Sequence, residues 1–494
     1  MRYCTPEEAG LSSADLRRFY DGLEEYHLST HSVIFARRDR IFSECYYAPF
    51  HRGFLHRMYS VSKSFVSVAV GFCIQDGLLT LDAPIAPFFA DELAADGAIP
   101  QEVTVRELLT MESGMRGVSW FRMRPTNRAE TYFSAPQTKL PGTLFDYDSS
   151  GSYMLGVIVE RLTGKTFLDY LKDKVLREIG FSEESYCIMA PGGHSFGDSG
   201  VMCTARDLLL FARFVLNRGE FNGKRYLNEE YLHDACRVQV ENNDYGFAGH
   251  DDHGYGYQFW GAPQGCFAML GMGNQIALCD PRHDLVFVIN SDNQGNPYSY
   301  EEIFFLLYTH VIHRISADGA ALPYSSESDV LSAELKEKKL FALRGPVSSP
   351  FKEKIGGKRY VARKNPMGIK WFTLEFSLHG GVFRYENAQG EKEMPFCFGE
   401  NCFAQFPETG YSDLVASCTA PGNTYRAAFS ADFPEEKKLR IRVQIIDKYF
   451  GNLGIVFGFR DENHVTVRMS KTAEDFLLEY NGVMIAEAEQ ESRS

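Results

Sequence analysis

A serine and a lysine three residues apart, Ser60 and Lys63, are spaced so that they could form a catalytic pair. The chain is apolar from Phe65 onward, which predicts a buried helix behind them. On a helix this spacing puts both side chains on one face, one turn apart. Free N–H groups at a helix start favour a serine alkoxide, and desolvation favours a neutral lysine amine. A neutral amine within hydrogen-bond reach of a hydroxyl can take its proton, so the pair predicts a nucleophile and its base.

The pattern S-x-x-K is weak evidence by itself, because it occurs again at Ser349 and Lys352. That second copy contains a proline, lies in a predicted linker and has no apolar helix behind it. For Ser60 and Lys63 the alternative is a solvated helix start without chemistry. The neighbouring elements and two further stretches favour the catalytic interpretation.

The elements that would position this pair predict an α+β domain. Strand-like runs lie near both ends of residues 1–322, at 31–36, 41–47, 254–260, 266–280 and 285–291. Helical patterns occupy 13–26, 103–114, 153–162, 167–179, 205–217 and 301–315. Residues 120–141 show no clear period and predict a loop. The two ends most simply share one antiparallel sheet, with the helical insert packed on its face.

The composition changes after about residue 322, which predicts a second domain. The predicted parts are a first domain over 1–322, a charged helical segment and linker over 323–350, and a last domain over 351–494. In the last part, short strand-like runs separated by Gly, Asn and Pro predict an antiparallel β sandwich or barrel. No catalytic constellation is visible there, so its expected role is a lid, a dimer surface or support.

Charge and cysteine usage narrow the class of protein. The net charge of −14 argues against nucleic acid and anionic membranes as partners. No run of about 18 or more apolar residues occurs, and the N-terminus lacks the apolar segment of a signal peptide. The 11 cysteines are scattered and form no C-x-x-C, which indicates reduced core thiols and predicts a cytoplasmic protein.

Two further stretches complete an ordered set of motifs. Tyr147-Asp-Ser149 lies in a polar turn before an apolar helix, and Met269-Leu-Gly-Met-Gly-Asn-Gln275 lies in a late strand. With S-x-x-K in front of them, the chain resembles the serine β-lactamase and penicillin-binding protein superfamily. The stretches VTVRELLTMESG, FDYDSSGSYMLGVIVERLTG and CTARDLLLFARFV are similar to its class C branch. That branch includes carboxylesterases, D-amino-acid peptidases and 6-aminohexanoate-dimer hydrolases.

The resemblance, which covers roughly residues 5–315, implies a β-lactamase/transpeptidase-like fold and a role for each matching residue. Ser60 would be the nucleophile that forms an acyl-enzyme, and Lys63 the base that activates it. Tyr147 would be the partner base and acid, sharing protons with Lys63 and the leaving group. Ser149 stands where many members have Asn, and it would hydrogen-bond to Lys63 or to the substrate.

The chain departs from the family pattern at the third motif, where Met269-Leu-Gly271 replaces K-T-G. Gly271 keeps the close backbone approach that a substrate needs. The backbone N–H groups of Ser60 and Met272 would form the oxyanion hole. The lost lysine and hydroxyl would bind the carboxylate of a β-lactam or of a peptide's D-Ala end, so the resemblance favours the esterase and aminohexanoate-dimer members.

The sequence therefore predicts a serine hydrolase of esters or small amides. We expect a small-molecule ester or amide as its partner, no cofactor, no metal, no nucleic acid and no membrane, and a homo-oligomer stays open. One alternative is β-lactamase, D-amino-acid peptidase or penicillin-binding activity. Alternatives of another class are a sensor that stays acylated and a scaffold that only binds.

Other polar clusters have a weaker claim to chemistry. Residues 193–197 fit the nucleophile elbow G-x-S-x-G but lack a strand before and a helix directly after. The G-D-S-G at 197–200 suits a chymotrypsin-type double barrel, whereas this region is rich in helix. The H-D-D-H at 250–253 is interpreted as a polar loop and not a metal site. Candidates for the mouth of the site are Tyr255, Trp120, Arg116, Arg122 and Arg124.

Overall fold

The computed structural model describes residues 1–96, 103–115, 127–243, 253–411, 422–474 and 476–489. Contacts divide the chain into two units, Met1–Leu340 and Phe341–Ser494. Within the described ranges, no helix is long and apolar enough to cross a membrane.

The first unit is built around a seven-stranded sheet. In the described residues the strands of this unit are β1 (Arg2–Tyr3), β2 (Thr30–Arg37), β3 (Arg40–Tyr46), β4 (His56–Arg57), β5 (Tyr186–Cys187), β6 (Val201–Cys203), β7 (Glu220–Phe221), β8 (Lys224–Arg225), β9 (Trp260–Ala262), β10 (Cys266–Gly271), β11 (Gln275–Asp280) and β12 (Leu285–Ser291). Strands β4 to β8 form two smaller sheets, β4-β6-β5 and β7-β8. The sheet order is β1-β3-β2-β12-β11-β10-β9. Because β2 pairs antiparallel with β12, with Val33 opposite Ile289, both ends of the unit share one sheet. This confirms the predicted α+β architecture.

Most helices of the first unit lie, in sequence, between strands β3 and β9. They are α1 (Ser13–Glu25), α2 (Ser62–Gln75), α3 (Ala90–Asp96), α4 (Val105–Leu109), α5 (Arg128–Ser134), α6 (Ser149–Thr163), α7 (Phe167–Leu171), α8 (Ala205–Leu216), α9 (Glu229–Cys236), α10 (Ser299–Leu307) and α11 (Glu327–Lys336). The side chains of Ser12, Asp148 and Thr204 accept hydrogen bonds from the first N–H groups of α1, α6 and α8. These caps satisfy orphan donors and fix where each helix begins.

Three predictions about local structure are wrong. Helix α5 lies inside the stretch 120–141 that was predicted as a loop, because a two-turn helix is too short to show a period. The run 266–280 is two strands, since Gly273 and Asn274 take φ values of 78° and 69° and turn the chain. In the run 254–260 only Trp260 belongs to a named strand, β9, and Gln258 with φ 64° interrupts extended backbone.

The second unit is a closed β structure. After α12 (Lys352–Ile355), its strands are β13 (Arg359–Ala362), β14 (Trp371–Phe376), β15 (Gly380–Asn387), β16 (Gly390–Phe398), β17 (Cys402–Gln405), β18 (Arg426–Glu435), β19 (Lys438–Ile446), β20 (Phe450–Asp461), β21 (His464–Thr472) and β22 (Gly482–Ala488). The sheet order is β16-β15-β14-β13-β22-β21-β20-β19-β18-β17, and β16 also pairs with β18. That extra pairing closes the sheet on itself, so of the two predicted architectures the barrel is the one observed.

Candidate functional site

Ser60 lies in a tight turn that leads directly into a buried helix. The turn is one 3-10 helix, Tyr59–Val61, and α2 continues from Ser62 without a break. Tyr59 has φ 46°, an uncommon conformation for a residue with a side chain, and it is 1% exposed. The guanidinium of Arg57 lies 4.2 Å from the centre of its ring. Packing therefore holds the turn in a strained shape, a feature typical of functional positions.

Lys63 contacts Ser60 in the manner that the spacing predicts. Its Nζ atom is 3.0 Å from Ser60 Oγ and 2.7 Å from the backbone carbonyl oxygen of Asp198. The lysine is 1% exposed, so its amine has few competing water contacts. Burial and two oriented hydrogen bonds leave this amine in one position, next to the hydroxyl.

Tyr147 brings its ring to the same amine. Lys63 Nζ lies 5.1 Å from the ring centre of Tyr147. The ring stacks on Trp260, with ring centres 5.3 Å apart and planes 27° apart. Among the described residues, the Tyr147 hydroxyl makes no hydrogen bond. The structure thus brings Ser60, Lys63 and Tyr147 together, and it leaves the phenol available to a substrate.

Ser149 is less closely tied to this centre. It is the first residue of α6, directly after the helix cap Asp148. It is half-buried, and no hydrogen bond joins it to Lys63 in the described part of the chain. The sequence predicts that Ser149 hydrogen-bonds to Lys63 or to the substrate, and its contact with the substrate stays a prediction.

Gly271 lies against the nucleophile's backbone at the end of β10. A Cβ atom added to Gly271 would be 2.4 Å from the carbonyl oxygen of Met58 and 3.2 Å from Ser60 N. Only glycine therefore fits beside the N–H that would bind an oxyanion. The hydroxyl of Tyr300 donates to the Gly271 carbonyl oxygen at 2.6 Å and holds the strand end in place.

The turn after Gly271 is fixed by Gln275. Its Nε2 donates to the carbonyl oxygens of Met272 at 3.0 Å and of Ser291 at 2.6 Å. Met272 itself is half-buried, which suits a residue at the edge of a binding cleft. Its role as the second oxyanion donor stays a prediction.

Gln258 is a supporting residue that the sequence motifs did not reveal. Its carbonyl oxygen accepts from Ser64 Oγ at 2.7 Å, and its Oε1 accepts from Ser152 Oγ at 2.6 Å. Its Nε2 donates to the carbonyl oxygens of Leu108 and Leu109, each at 2.9 Å. One buried amide thus joins α2, α6 and α4 around the site. Nothing in the pattern near Gln258 could have predicted this.

Two carboxyl groups, those of Asp148 and Asp198, are buried and interact electrostatically with Lys63. Burial raises the pKa of Asp148, while hydrogen bonds from Ser150 and Gly151 act in the opposite direction. Burial also raises the pKa of Asp198 to about 6, although the Lys63 amine lowers it. Asp198 belongs to the G-D-S-G stretch at 197–200, whose interpretation as a chymotrypsin-type serine site the helix-rich surroundings disfavour. The motif interpretation stays rejected, but this loop does belong to the site.

Of the remaining candidates, Tyr255 contacts this centre, whereas the serine of residues 193–197 does not. His194 Nδ1 is 2.8 Å from Glu160 Oε2, whereas Ser195 Oγ has no hydrogen-bond partner among the described residues, so no base contacts it. No group of His, Cys, Asp and Glu in the described ranges could hold a metal ion. Tyr255 packs edge-on against Tyr147, with ring centres 6.5 Å apart, and edge-on against Trp260. The predictions that concern Trp120, Arg116, Arg122, Arg124 and residues 250–252 lie outside the described residues.

Comparison with known proteins points to one family. The sequence model of the family described as "Beta-lactamase" matches residues 16–306. A 6-aminohexanoate-dimer hydrolase from Paenarthrobacter ureafaciens is 26% identical over 283 residues, which are 52% of this chain and 71% of that protein. A lovastatin esterase from Penicillium rubens is 28% identical over 153 residues, 26% of this chain and 38% of that protein.

Solved structures agree on the fold. A penicillin-binding protein homolog from Caulobacter crescentus superposes with a TM-score of 0.51 at 15% sequence identity. The match covers 63% of this chain and 99% of that one. At this identity the likeness shows the fold alone.

Proposed function

This chain belongs to the beta-lactamase family, and we propose that it is a serine hydrolase that cleaves ester or small amide bonds through an acyl-enzyme on Ser60. The observation that carries the proposal is the 3.0 Å contact between Lys63 Nζ and Ser60 Oγ in buried surroundings. A hydroxyl attacks a carbonyl only once its proton has an acceptor, and the amine is that acceptor.

In the proposed reaction the Lys63 amine takes the Ser60 proton as Oγ attacks the carbonyl carbon. The oxygen of the resulting tetrahedral intermediate becomes negative and is stabilised by the N–H of Ser60, with Met272 N–H as the second donor. The proton then passes to the leaving group through Lys63 and Tyr147, whose hydroxyl makes no hydrogen bond in the described part of the chain. Water attacks the acyl-enzyme in the same geometry and releases the acid.

The third motif argues against a β-lactam substrate. Met269, which replaces the family's lysine, is 1% exposed on β10 and offers no charge to a carboxylate. Two relatives, a 6-aminohexanoate-dimer hydrolase and a lovastatin esterase, are named for an amide-type and an ester-type substrate. An ester or a linear amide therefore suits this site better than a β-lactam does.

The test is a parallel panel of p-nitrophenyl acetate and butyrate, D-amino-acid amides and nitrocefin. We expect multiple turnovers with the esters, slower turnover with an amide and little with nitrocefin. A burst of one equivalent without turnover would support an acylated sensor instead. Silence on the whole panel would support a binding scaffold and would contradict the proposal.

A further inference from the structure

The proposed oxyanion hole depends on the direction of one backbone N–H group. The N–H of Met272 belongs to the peptide that joins Gly271 to Met272, and this peptide is trans. Gly271 lies against the nucleophile, since a Cβ atom added to it would be 3.2 Å from Ser60 N. In a planar trans peptide the N–H points opposite to the carbonyl oxygen. A group that holds the Gly271 oxygen therefore also aims the Met272 N–H.

Tyr300 is the side chain that holds this oxygen. Its hydroxyl donates to the Gly271 carbonyl oxygen at 2.6 Å, at the short end of the usual range for a hydroxyl donor. The next peptide is also held, because Gln275 Nε2 donates to the Met272 carbonyl oxygen at 3.0 Å. Each of the two peptides that flank Met272 is thus fixed by a side-chain donor.

The start of α10 keeps the Tyr300 hydroxyl in place. Ser299 Oγ donates to the Asn296 carbonyl oxygen at 3.0 Å, and Asn296 Nδ2 donates to Glu302 Oε2 at 3.0 Å. The ring of Tyr300 is half-buried and packs against the apolar core of the first unit. Since a tyrosine side chain has only two rotatable bonds before its ring, an anchored helix start and a packed ring fix the hydroxyl.

A second tyrosine on the same helical segment makes a similar hydrogen bond away from the site. Tyr308 belongs to the π-helical turn Tyr308–Ile312 that continues α10, and its hydroxyl donates to the Pro263 carbonyl oxygen at 3.0 Å. Pro263 precedes β10, whereas Gly271 is the last residue of this strand. Both phenols therefore bind a carbonyl next to β10, but only that of Tyr300 binds the peptide beside the nucleophile.

We propose that Tyr300 is a positioning residue whose hydroxyl aims and polarises the Met272 N–H, the second donor of the oxyanion hole. The inference rests on the proposed function. A hydrogen bond to a carbonyl oxygen polarises its peptide, so the N–H of that peptide becomes a stronger donor. A donor that already points at the developing negative charge needs no reorganisation during the reaction. The hydroxyl therefore stabilises the transition state more than the bound ester.

The experiment compares wild type with Tyr300→Phe, which removes the hydroxyl and keeps the packed ring. The observables are kcat and KM for p-nitrophenyl butyrate, and inhibition by butylboronic acid, whose tetrahedral adduct with Ser60 would place an oxygen in the hole. We expect kcat to fall about tenfold, less than the ~10²–10³ for a lost donor, because the N–H is still present. KM should change less than about twofold, since the bound ester carries no negative oxygen. Inhibition by the boronic acid should weaken in the same proportion as kcat.

The matched control is Tyr308→Phe, which removes a hydrogen bond of the same type at the other end of β10. We expect this variant to keep the wild-type kcat, KM and inhibition by butylboronic acid, because the Pro263 carbonyl does not belong to the site. Circular dichroism confirms that both variants are folded.

The outcomes separate this inference from the proposed function. An unchanged kcat in folded Tyr300→Phe overturns this inference alone, and so does a loss that appears only as a higher KM. An equal loss of kcat in Tyr308→Phe would show a general effect on β10 and would also overturn it. A wild type without turnover of the ester overturns the proposed function, and this inference with it. Should Tyr300→Phe fail to fold, Tyr300→Leu removes the same hydroxyl and is measured in the same way.

Discussion

The pattern S-x-x-K occurs twice in this chain, and the two copies have different surroundings. In the first, Lys63 is 1% exposed and its Nζ is 3.0 Å from Ser60 Oγ. In the second, Ser349 Oγ donates to the carbonyl oxygen of Glu436 at 2.6 Å and Lys352 Nζ donates to that of Ser377 at 2.8 Å. The second serine and lysine are thus each bound to a different carbonyl and not to each other.

Local backbone geometry explains the difference. Around Ser60 a 3-10 turn continues into α2, so residues three apart share a face. Helix α12 begins only at Lys352, and Ser349 precedes it, with its Oγ accepting from Phe351 N at 3.1 Å. The S-x-x-K motif alone therefore does not define a catalytic pair. The pair requires a continuous helical turn and a buried amine.

The largest expected effect separates the two serines. Ser60→Ala should reduce ester turnover by on the order of 10⁶-fold, because no other group can carry the acyl chain. Ser349→Ala should leave kcat/KM unchanged. Steady-state kinetics with p-nitrophenyl butyrate, together with circular dichroism to confirm folding, tests both. Activity retained in folded Ser60→Ala would contradict the assignment.

Replacing the two lysines should show the same contrast as replacing the two serines, with a large loss of kcat only in the first copy of the motif. Lys63→Ala should lower kcat by about 10²- to 10⁴-fold, the usual contribution of a positioned base. Lys352→Ala should change kcat less than twofold, since this half-buried amine contacts the Ser377 carbonyl oxygen and two aromatic rings, and not a serine hydroxyl. Equal losses of kcat in both variants would show that the contact between Lys63 and Ser60 does not contribute to catalysis. Kinetics at saturating ester is the measurement.

A smaller effect should follow from filling the space beside Ser60 N. Gly271→Ala places a Cβ where Met58 O would be 2.4 Å away, so β10 must move from the nucleophile. We expect a loss of about 10²- to 10³-fold in kcat, similar to that of a missing oxyanion donor. Gly156→Ala on α6 is the control, because its Cβ would meet nothing closer than 3.8 Å. A fully active Gly271→Ala enzyme would rule out an oxyanion hole at this strand end.

The smallest expected effect is on the free energy of unfolding. It comes from the buried carboxyl of Asp198, which lies in the loop that contacts Lys63. Burial raises the pKa of Asp198 from 3.8 to about 6. Between these values the unfolded carboxyl has lost its proton and the folded one keeps it, so stability falls as pH rises. Relative to wild type, Asp198→Asn should therefore gain about 3 kcal/mol in free energy of unfolding between about pH 4 and pH 7.

Urea unfolding at several pH values measures this gain. A difference between variant and wild type that stays constant with pH would mean that the carboxyl titrates at its ordinary value in the folded chain. Asp207→Asn, measured alongside, shows how much is lost when a buried carboxylate that accepts hydrogen bonds, from Thr204 N and Ser182 N, is replaced.

How far the sequence predicts this molecule depends on the range of the interactions involved. Ser60 and Lys63 are one turn apart, so spacing alone predicts their contact. The sheet of the first unit was predictable because strand patterns flank a helical region. The contacts of Gln258 and Asp198 were not predictable, because their partners are distant in sequence and no local pattern marks either residue. Asn274 and Gln258 also adopt positive φ without being glycine. The sequence therefore did not indicate the turn between β10 and β11 or the interruption of the run 254–260.

The most direct test of the central claim is a search for the acyl group itself. The enzyme is mixed with p-nitrophenyl butyrate, quenched in acid during turnover and mapped by peptide mass spectrometry. We predict one butyryl group on the peptide that contains Ser60, absent in Ser60→Ala and present in Lys352→Ala. A butyryl group on Ser349 or Ser195, or turnover with no acylated peptide, would contradict this prediction.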